Sequence, residues 1–156
     1  MFKNWQVILL ALACSAANAD TGSGLVLENA WVRALPPTQA NTAAYLELTN
    51  TGEAELSVVG GSAALAERLE IHTTREIDGY MRMEQLDKLG LAPGETLRLE
   101  PGGTHLMLLG LERMPAVGES VHLCLELSAG AEVCTEAPVR KSKSSSTPHH
   151  HHHQQD

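Results

Sequence analysis

From Asp20 to Arg140 the chain alternates apolar and polar residues in short runs separated by turn residues. The runs are Leu25 to Arg33, Thr42 to Asn50, Glu55 to Val59, Arg68 to Thr73, Tyr80 to Gln85, Thr96 to Glu100, His105 to Leu111, Ser120 to Leu127 and Glu132 to Val139. Alternation with period two sends neighbouring side chains to opposite faces, so each run reads as a strand with one buried face. The breaks carry turn chemistry: Pro36-Pro37, Asn50-Thr51-Gly52, Pro93-Gly94, Pro101-Gly102-Gly103 and Ser128-Ala129-Gly130. About nine strands at roughly ten-residue spacing predict an all-β sandwich or barrel. Only Ser62 to Arg68 (SAALAER) has a helical composition, enough for about two turns.

The last two runs enclose VHLCLELSAGAEVCTE, which reads as a hairpin turning at Ser128-Ala129-Gly130. Pairing Leu127 with Ala131 and counting outward puts Cys124 opposite Cys134. Cross-strand neighbours are close enough for a disulfide, the preferred reading. The rival is a thiolate site aided by His122, which shares their face of the strand. The C-x-x-C spacing of a thioredoxin-like dithiol is absent.

The two ends do not belong to the β pattern. Lys3 precedes the apolar run Trp5 to Ala13, and Ala17-Asn18-Ala19 precedes Asp20. This predicts a signal peptide over residues 1–19, cut after Ala19, with a run too short to span a bilayer. Cys14 offers a lipid-anchored alternative, which the poor fit of Ala11-Leu12-Ala13 to that cleavage pattern disfavours. No segment of the mature chain is apolar enough to cross a membrane. The expected domain is therefore 20–140, exported to an oxidising, periplasmic setting. Residues 141–156 form a polar tail that carries His149, His150, His151, His152 and His153; a purification tag is the alternative, and the following Gln154-Gln155-Asp156 with the N-terminal signal pattern favours a native tail. Such a run of imidazoles binds divalent copper, nickel or zinc with little selectivity.

Composition sharpens this picture. The 156 residues include Lys+Arg 11 and Asp+Glu 19, for a net charge of -8, which argues against nucleic acid as a partner. At 43% hydrophobic the chain can build a core, yet aromatics make up only 3%. Against that scarcity stand 8 His and 5 Met.

Several of these polarizable residues share strand faces. Met81 and Met83 lie two apart, as do His105 and Met107. In RLEIHTT the core claims Leu69 and Ile71, which leaves Glu70 and His72 on the other face. Leu106 and Leu108 likewise turn His105 and Met107 away from the core. Thioether sulfur is a soft, neutral ligand that suits Cu(I) and serves zinc, magnesium or calcium poorly. Two imidazoles with two thioethers make a neutral N2S2 set that needs no thiolate and so survives oxidation. Met81 is an extra thioether or a rim residue, while Met114 reads as loop filler and His122 as surface.

The spacing of His72, Met83, His105 and Met107 is H-x10-M-x21-H-x-M. It resembles the signature of the PCuAC family of bacterial periplasmic copper chaperones. The resemblance extends through ENAWVRALPP, AAYLELTNTG and LAPGETLRLEPGGTHLMLLGL to the terminal hairpin, over residues 25 to 139. It implies a cupredoxin-like Greek-key fold holding one Cu(I) through His72, Met83, His105 and Met107. It further implies copper delivery toward the dinuclear copper centre of cytochrome c oxidase, to its copper subunit or a thiol-bearing chaperone. Thr73 stands where many members have Met, and Cys124 with Cys134 is not part of the signature.

Other classes fit less well. Copper storage or resistance would use the same ligands without directed delivery. A blue-copper carrier needs a Cys thiolate beside two His, which the His105-x-Met107 region lacks. No nucleophile elbow, H-E-x-x-H or acid/base pair supports an enzyme. The tail is expected to take Cu(II), and the domain Cu(I).

Overall fold

The computed structural model describes residues 22–142. The predicted signal segment with Cys14, and the tail with His149 to His153, lie outside the described residues. Among the described residues ten strands form: β1 Leu25–Arg33, β2 Thr42–Asn50, β3 Leu56–Ala63, β4 Ala66–Ile77, β5 Tyr80–Leu86, β6 Leu89–Leu91, β7 Thr96–Leu99, β8 His105–Leu111, β9 Ser120–Leu127 and β10 Glu132–Arg140. Their order is β5-β4-β8-β2-β1-β10-β9-β3-β6, with β7 also on β2. All pairings are antiparallel except β1 with β10, where Val32 lies beside Val139.

The sheet folds over one core, as an all-β, cupredoxin-like sandwich. One layer holds β5, β4, β8, β2, β7 and β1; the other holds β10, β9, β3 and β6. Aromatics are scarce, so leucine fills the space between the layers: Leu46, Leu48, Leu106, Leu108, Leu123 and Leu125 are fully buried. Alternation explains their placement, since on β9 Val121, Leu123, Leu125 and Leu127 face inward at every second position.

The helix expected over Ser62 to Arg68 does not form. Strand β3 continues through Ala63, the chain turns at Leu65 with φ 73°, and β4 begins at Ala66. Ser62 and Ala63 pair with Cys124 and Leu123, and Arg68 pairs with Leu109. A two-turn helix is marginal by itself, whereas these ladders satisfy the backbone and bury Ala63 and Leu69. The tenth strand, β6, was too short to reveal alternation; Leu89 and Leu91 pair with Val58 and Leu56 and are buried.

Two small residues shape the second layer and its seam. Between Val58 and Gly60 the β3–β9 register shifts, and a Cβ on Gly61 would overlap the Cys124 carbonyl. Asn50, fully buried at the end of β2, donates to the Ala54 and Leu91 carbonyls at 2.8 and 3.0 Å. Its Oδ1 accepts from Gly52 N–H at 2.9 Å. Asn50→Ala strands all three partners, and should destabilise the domain by about 2–3 kcal/mol in chemical denaturation. A change below about 0.5 kcal/mol would show that water replaces these bonds.

Candidate metal centre

Three strands bring the candidate ligands to the outer face of the first layer. On β4, Leu69, Ile71 and Thr73 point into the sandwich, so Glu70, His72 and Thr74 point out. Directly opposite residues of an antiparallel pair share a face. His72 is paired with His105 and Glu70 with Met107, which puts both β8 candidates on that side. On the other flank Thr74 is paired with Met83, so Met83 is the diagonal neighbour of His72.

The start of β8 is set by a jog in the chain. Strand β2 pairs with β8 through Thr42–Ala44 and with β7 through Leu46–Thr49. Pro101-Gly102-Gly103 bridges the two partners, with Gly102 at φ 86°, a conformation that favours glycine. The Gly103 carbonyl accepts from Thr74 N–H at 3.3 Å and from His105 Nδ1 at 3.0 Å.

These contacts decide which histidine nitrogens are free. A carbonyl only accepts, so His105 Nδ1 carries the proton and Nε2 keeps its lone pair in the neutral ring. His105 is 5% exposed, turned from the core yet covered by its neighbours. Its ring lies 6.1 Å from His72 and 6.3 Å from Tyr45, between centroids. His72 is arranged oppositely: Nε2 donates to the Glu70 carboxylate at 2.8 Å. That leaves Nδ1, buried and without a hydrogen-bond partner, as the lone-pair atom. An orphaned imidazole nitrogen suits a metal, and a carboxylate on the opposite nitrogen fixes the tautomer and raises ligand basicity.

A cavity of about 260 Å³ opens beside the His105 ring, lined by His105, Met107, Met83, Thr74, Tyr45 and Arg33 among others, whereas His72 lies behind its wall and does not line it. Met107 is half-buried, whereas Met83, on edge strand β5, is 55% exposed. Met81 shares the face of Met83 but pairs with Glu76, farther along the hairpin, and does not line the cavity. Met114 is a half-buried loop residue beside Pro115.

Among the described residues, the only charged side chain on the cavity wall is Arg33. Its guanidinium lies 5.2 Å from the centroid of the Tyr45 ring. Burial pushes the Tyr45 phenol up from its ordinary range, with Arg33 opposing, so the hydroxyl stays protonated. Trp31 stacks at 4.5 Å on Tyr45 and carries Arg140 on its ring at 4.4 Å. Glu70, Arg33, Tyr45 and the Gly103 carbonyl were not singled out by the sequence reading. Alternation did place Glu70 beside His72; the other three depend on pairings between distant strands.

The remaining candidates lie on the other layer. Cys124 faces Cys134 across β9 and β10, and their sulfurs are bonded at 2.05 Å. Leu127 N–H donates to the Ala131 carbonyl at 2.8 Å, closing the hairpin. His122 is exposed but not free. Its Nδ1 meets Glu136 Oε1 at 2.8 Å, and its Nε2 lies 3.4 Å from Cys124 Sγ. The His122 hydrogen bond, with a second from Ser120, holds the Glu136 carboxyl below the usual range.

Comparison with known proteins places this geometry among relatives. The family model described as "LpqE-like: Putative lipoprotein LpqE-like" matches residues 25–139. "Putative lipoprotein Lxx21020" of Leifsonia xyli subsp. xyli (strain CTCB07) is 32% identical over 142 residues, spanning 85% of this chain and 84% of that one. The solution structure of CuI-DR1885 from Deinococcus radiodurans is 33% identical with a TM-score of 0.59, covering 83% of this chain and 86% of that chain. The copper-bound PCuAC domain from PmoF2 superposes with a TM-score of 0.64 at 22% identity, over 76% and 94% of the two chains. That last likeness concerns the fold alone.

Proposed function

The chain belongs to the LpqE-like family, and we propose that it is an exported copper chaperone whose cargo is one Cu(I) per domain. The metal would be held by His72 Nδ1, His105 Nε2 and the thioethers of Met83 and Met107. One observation carries this reading: two imidazole lone pairs without protein partners share a face with two thioethers. It draws support from the Cu(I) form of DR1885, a relative of similar fold.

Charge favours the monovalent ion. All four proposed ligands bind as neutral donors, and Arg33 is the only charged residue among the described residues that line the cavity beside His105. A divalent ion prefers anionic ligands, and the one carboxylate on this face among the named groups, Glu70, is engaged by His72 Nε2–H. Glu70 acts one step back, by holding His72 Nε2–H so that Nδ1 is the donor. Release follows from position. Met83 sits on an exposed edge strand, where an incoming donor can displace its thioether before the buried His105 is disturbed.

Delivery toward the dinuclear copper centre of cytochrome c oxidase, directly to its copper subunit or through a thiol-bearing chaperone, is the finer proposal. It rests on the four-ligand spacing. The tail histidines His149 to His153 would capture Cu(II) on a tether that raises its local concentration, and a one-electron reductant from outside the chain would convert it before the domain takes it as Cu(I). Export rests on the N-terminal segment. A mature chain starting at Asp20 follows from the Ala17-Asn18-Ala19 cleavage pattern, and the relatives' description as lipoproteins supports the alternative of a lipid-bearing Cys14.

Titration with Cu(I) against a competing chelator should give one tight equivalent, lost in the Met83→Ala/Met107→Ala double variant. Glu70→Gln should weaken binding by about 10- to 100-fold while leaving stoichiometry unchanged. Undiminished binding in the double variant would remove the assignment. Truncation after Arg140 should abolish one class of Cu(II) sites and preserve Cu(I) binding; equal Cu(II) uptake by both chains would end the capture role. Deleting the protein in its native host under copper limitation should lower copper loading of the oxidase, whereas full loading with reduced copper tolerance would point to storage.

A further inference from the structure

The second layer carries a cluster that the proposed Cu(I) site does not use. His122 and Cys124 stand two residues apart on the outer face of β9, because Val121, Leu123 and Leu125 take the inner one. Across the ladder, Cys134 faces Cys124 and Glu136 faces His122. The four residues thus occupy the corners of a rectangle on the face opposite the core. The His122 nitrogen and the two sulfurs all lie within 4.8 Å of one another.

The imidazole is oriented for a ligand. The Glu136 carboxylate can only accept, so His122 Nδ1 carries the proton and Nε2 directs a lone pair toward Cys124 Sγ, 3.4 Å away. Ser120 Oγ donates to the other oxygen of Glu136 at 3.0 Å, fixing the carboxylate in turn. A carboxylate behind a histidine whose far nitrogen meets sulfur is the second-shell pattern of metal-binding imidazoles. A purely structural disulfide needs none of these groups, and the hairpin is already paired from Glu132–Glu126 to Pro138–Ser120.

We propose that His122, Cys124 and Cys134 form a redox-gated second site for a thiophilic closed-shell cation, with Cu(I) as its ligand. In the oxidised chain the site is closed, because a disulfide sulfur is a neutral, weak donor and no thiolate is present. A dithiol reductant opens it: two electrons and two protons break the Sγ–Sγ bond, giving two thiols, while the reductant becomes a disulfide. Cu(I) then displaces both thiol protons and is held by two thiolates and His122 Nε2. Cys124 is buried while His122 and Cys134 are exposed, so a partner would reach the ion from the His122 and Cys134 side. The site lies on the layer opposite His72 and His105, so the two are loaded independently.

The test compares the full-length chain, oxidised or reduced with a phosphine that is removed before anaerobic titration. The probe is Cu(I) in competition with a chelator, and the readouts are stoichiometry and thiolate-to-copper ultraviolet absorption. Reduction should add one tight equivalent together with the absorption band. Alkylating the reduced thiols, or Cys124→Ser with Cys134→Ser, should remove both signals, and alkylation serves even if the double variant folds poorly. His122→Ala should weaken the added equivalent by about tenfold or more. The added equivalent should persist in Met83→Ala/Met107→Ala, which separates it from the proposed N2S2 site. Equal stoichiometry before and after reduction, or an added equivalent indifferent to alkylation or to His122, would overturn the proposal and leave a structural disulfide.

Discussion

The candidate centre depends on one cross-strand register, His72 of β4 directly opposite His105 of β8. In a sheet a slip of one residue sends every side chain to the other face. Such a slip here would drive Leu69 and Ile71 out of the core and pull Glu70 and His72 into it. Burial of the leucines and placement of the imidazoles are therefore the same constraint. The hydrophobic effect that closes the sandwich also holds two ring nitrogens on one surface, without any residue dedicated to doing so.

Much of this was legible in the chain because alternation is a local signal. β1, β2, β8 and β9 begin and end where the turn residues put them, and counting from the turn paired Cys124 with Cys134. The failures have equally physical causes. SAALAER has helix-favouring composition, but pairing with β9 and β8 outweighs that weak preference, and Leu65 turns the chain instead. β6 holds only three residues, too few to show a period. At the site, the ligand types and faces were readable, whereas the lone pairs were not. Which nitrogen of His72 or His105 is free depends on Glu70 and on the Gly103 carbonyl, and the latter is placed by a loop between two strands.

The two layers present donors of contrasting character. The first offers imidazoles and thioethers, with His72 backed by Glu70 and the guanidinium of Arg33 on the cavity wall. The second offers an imidazole backed by Glu136 and two sulfurs that become anionic ligands only when reduced. An oxidising compartment silences thiolates and leaves thioethers untouched. On the proposed reading, the first site works wherever the protein is exported, and the second responds to the local supply of reductant.

The central claim concerns which atoms hold the metal at His72 and His105. X-ray absorption on the oxidised protein carrying one equivalent of Cu(I) measures this directly. The account predicts two nitrogen and two sulfur neighbours, with sulfur lost stepwise in Met83→Ala and Met107→Ala. A shell of nitrogen and oxygen alone, or sulfur neighbours indifferent to both substitutions, would contradict it.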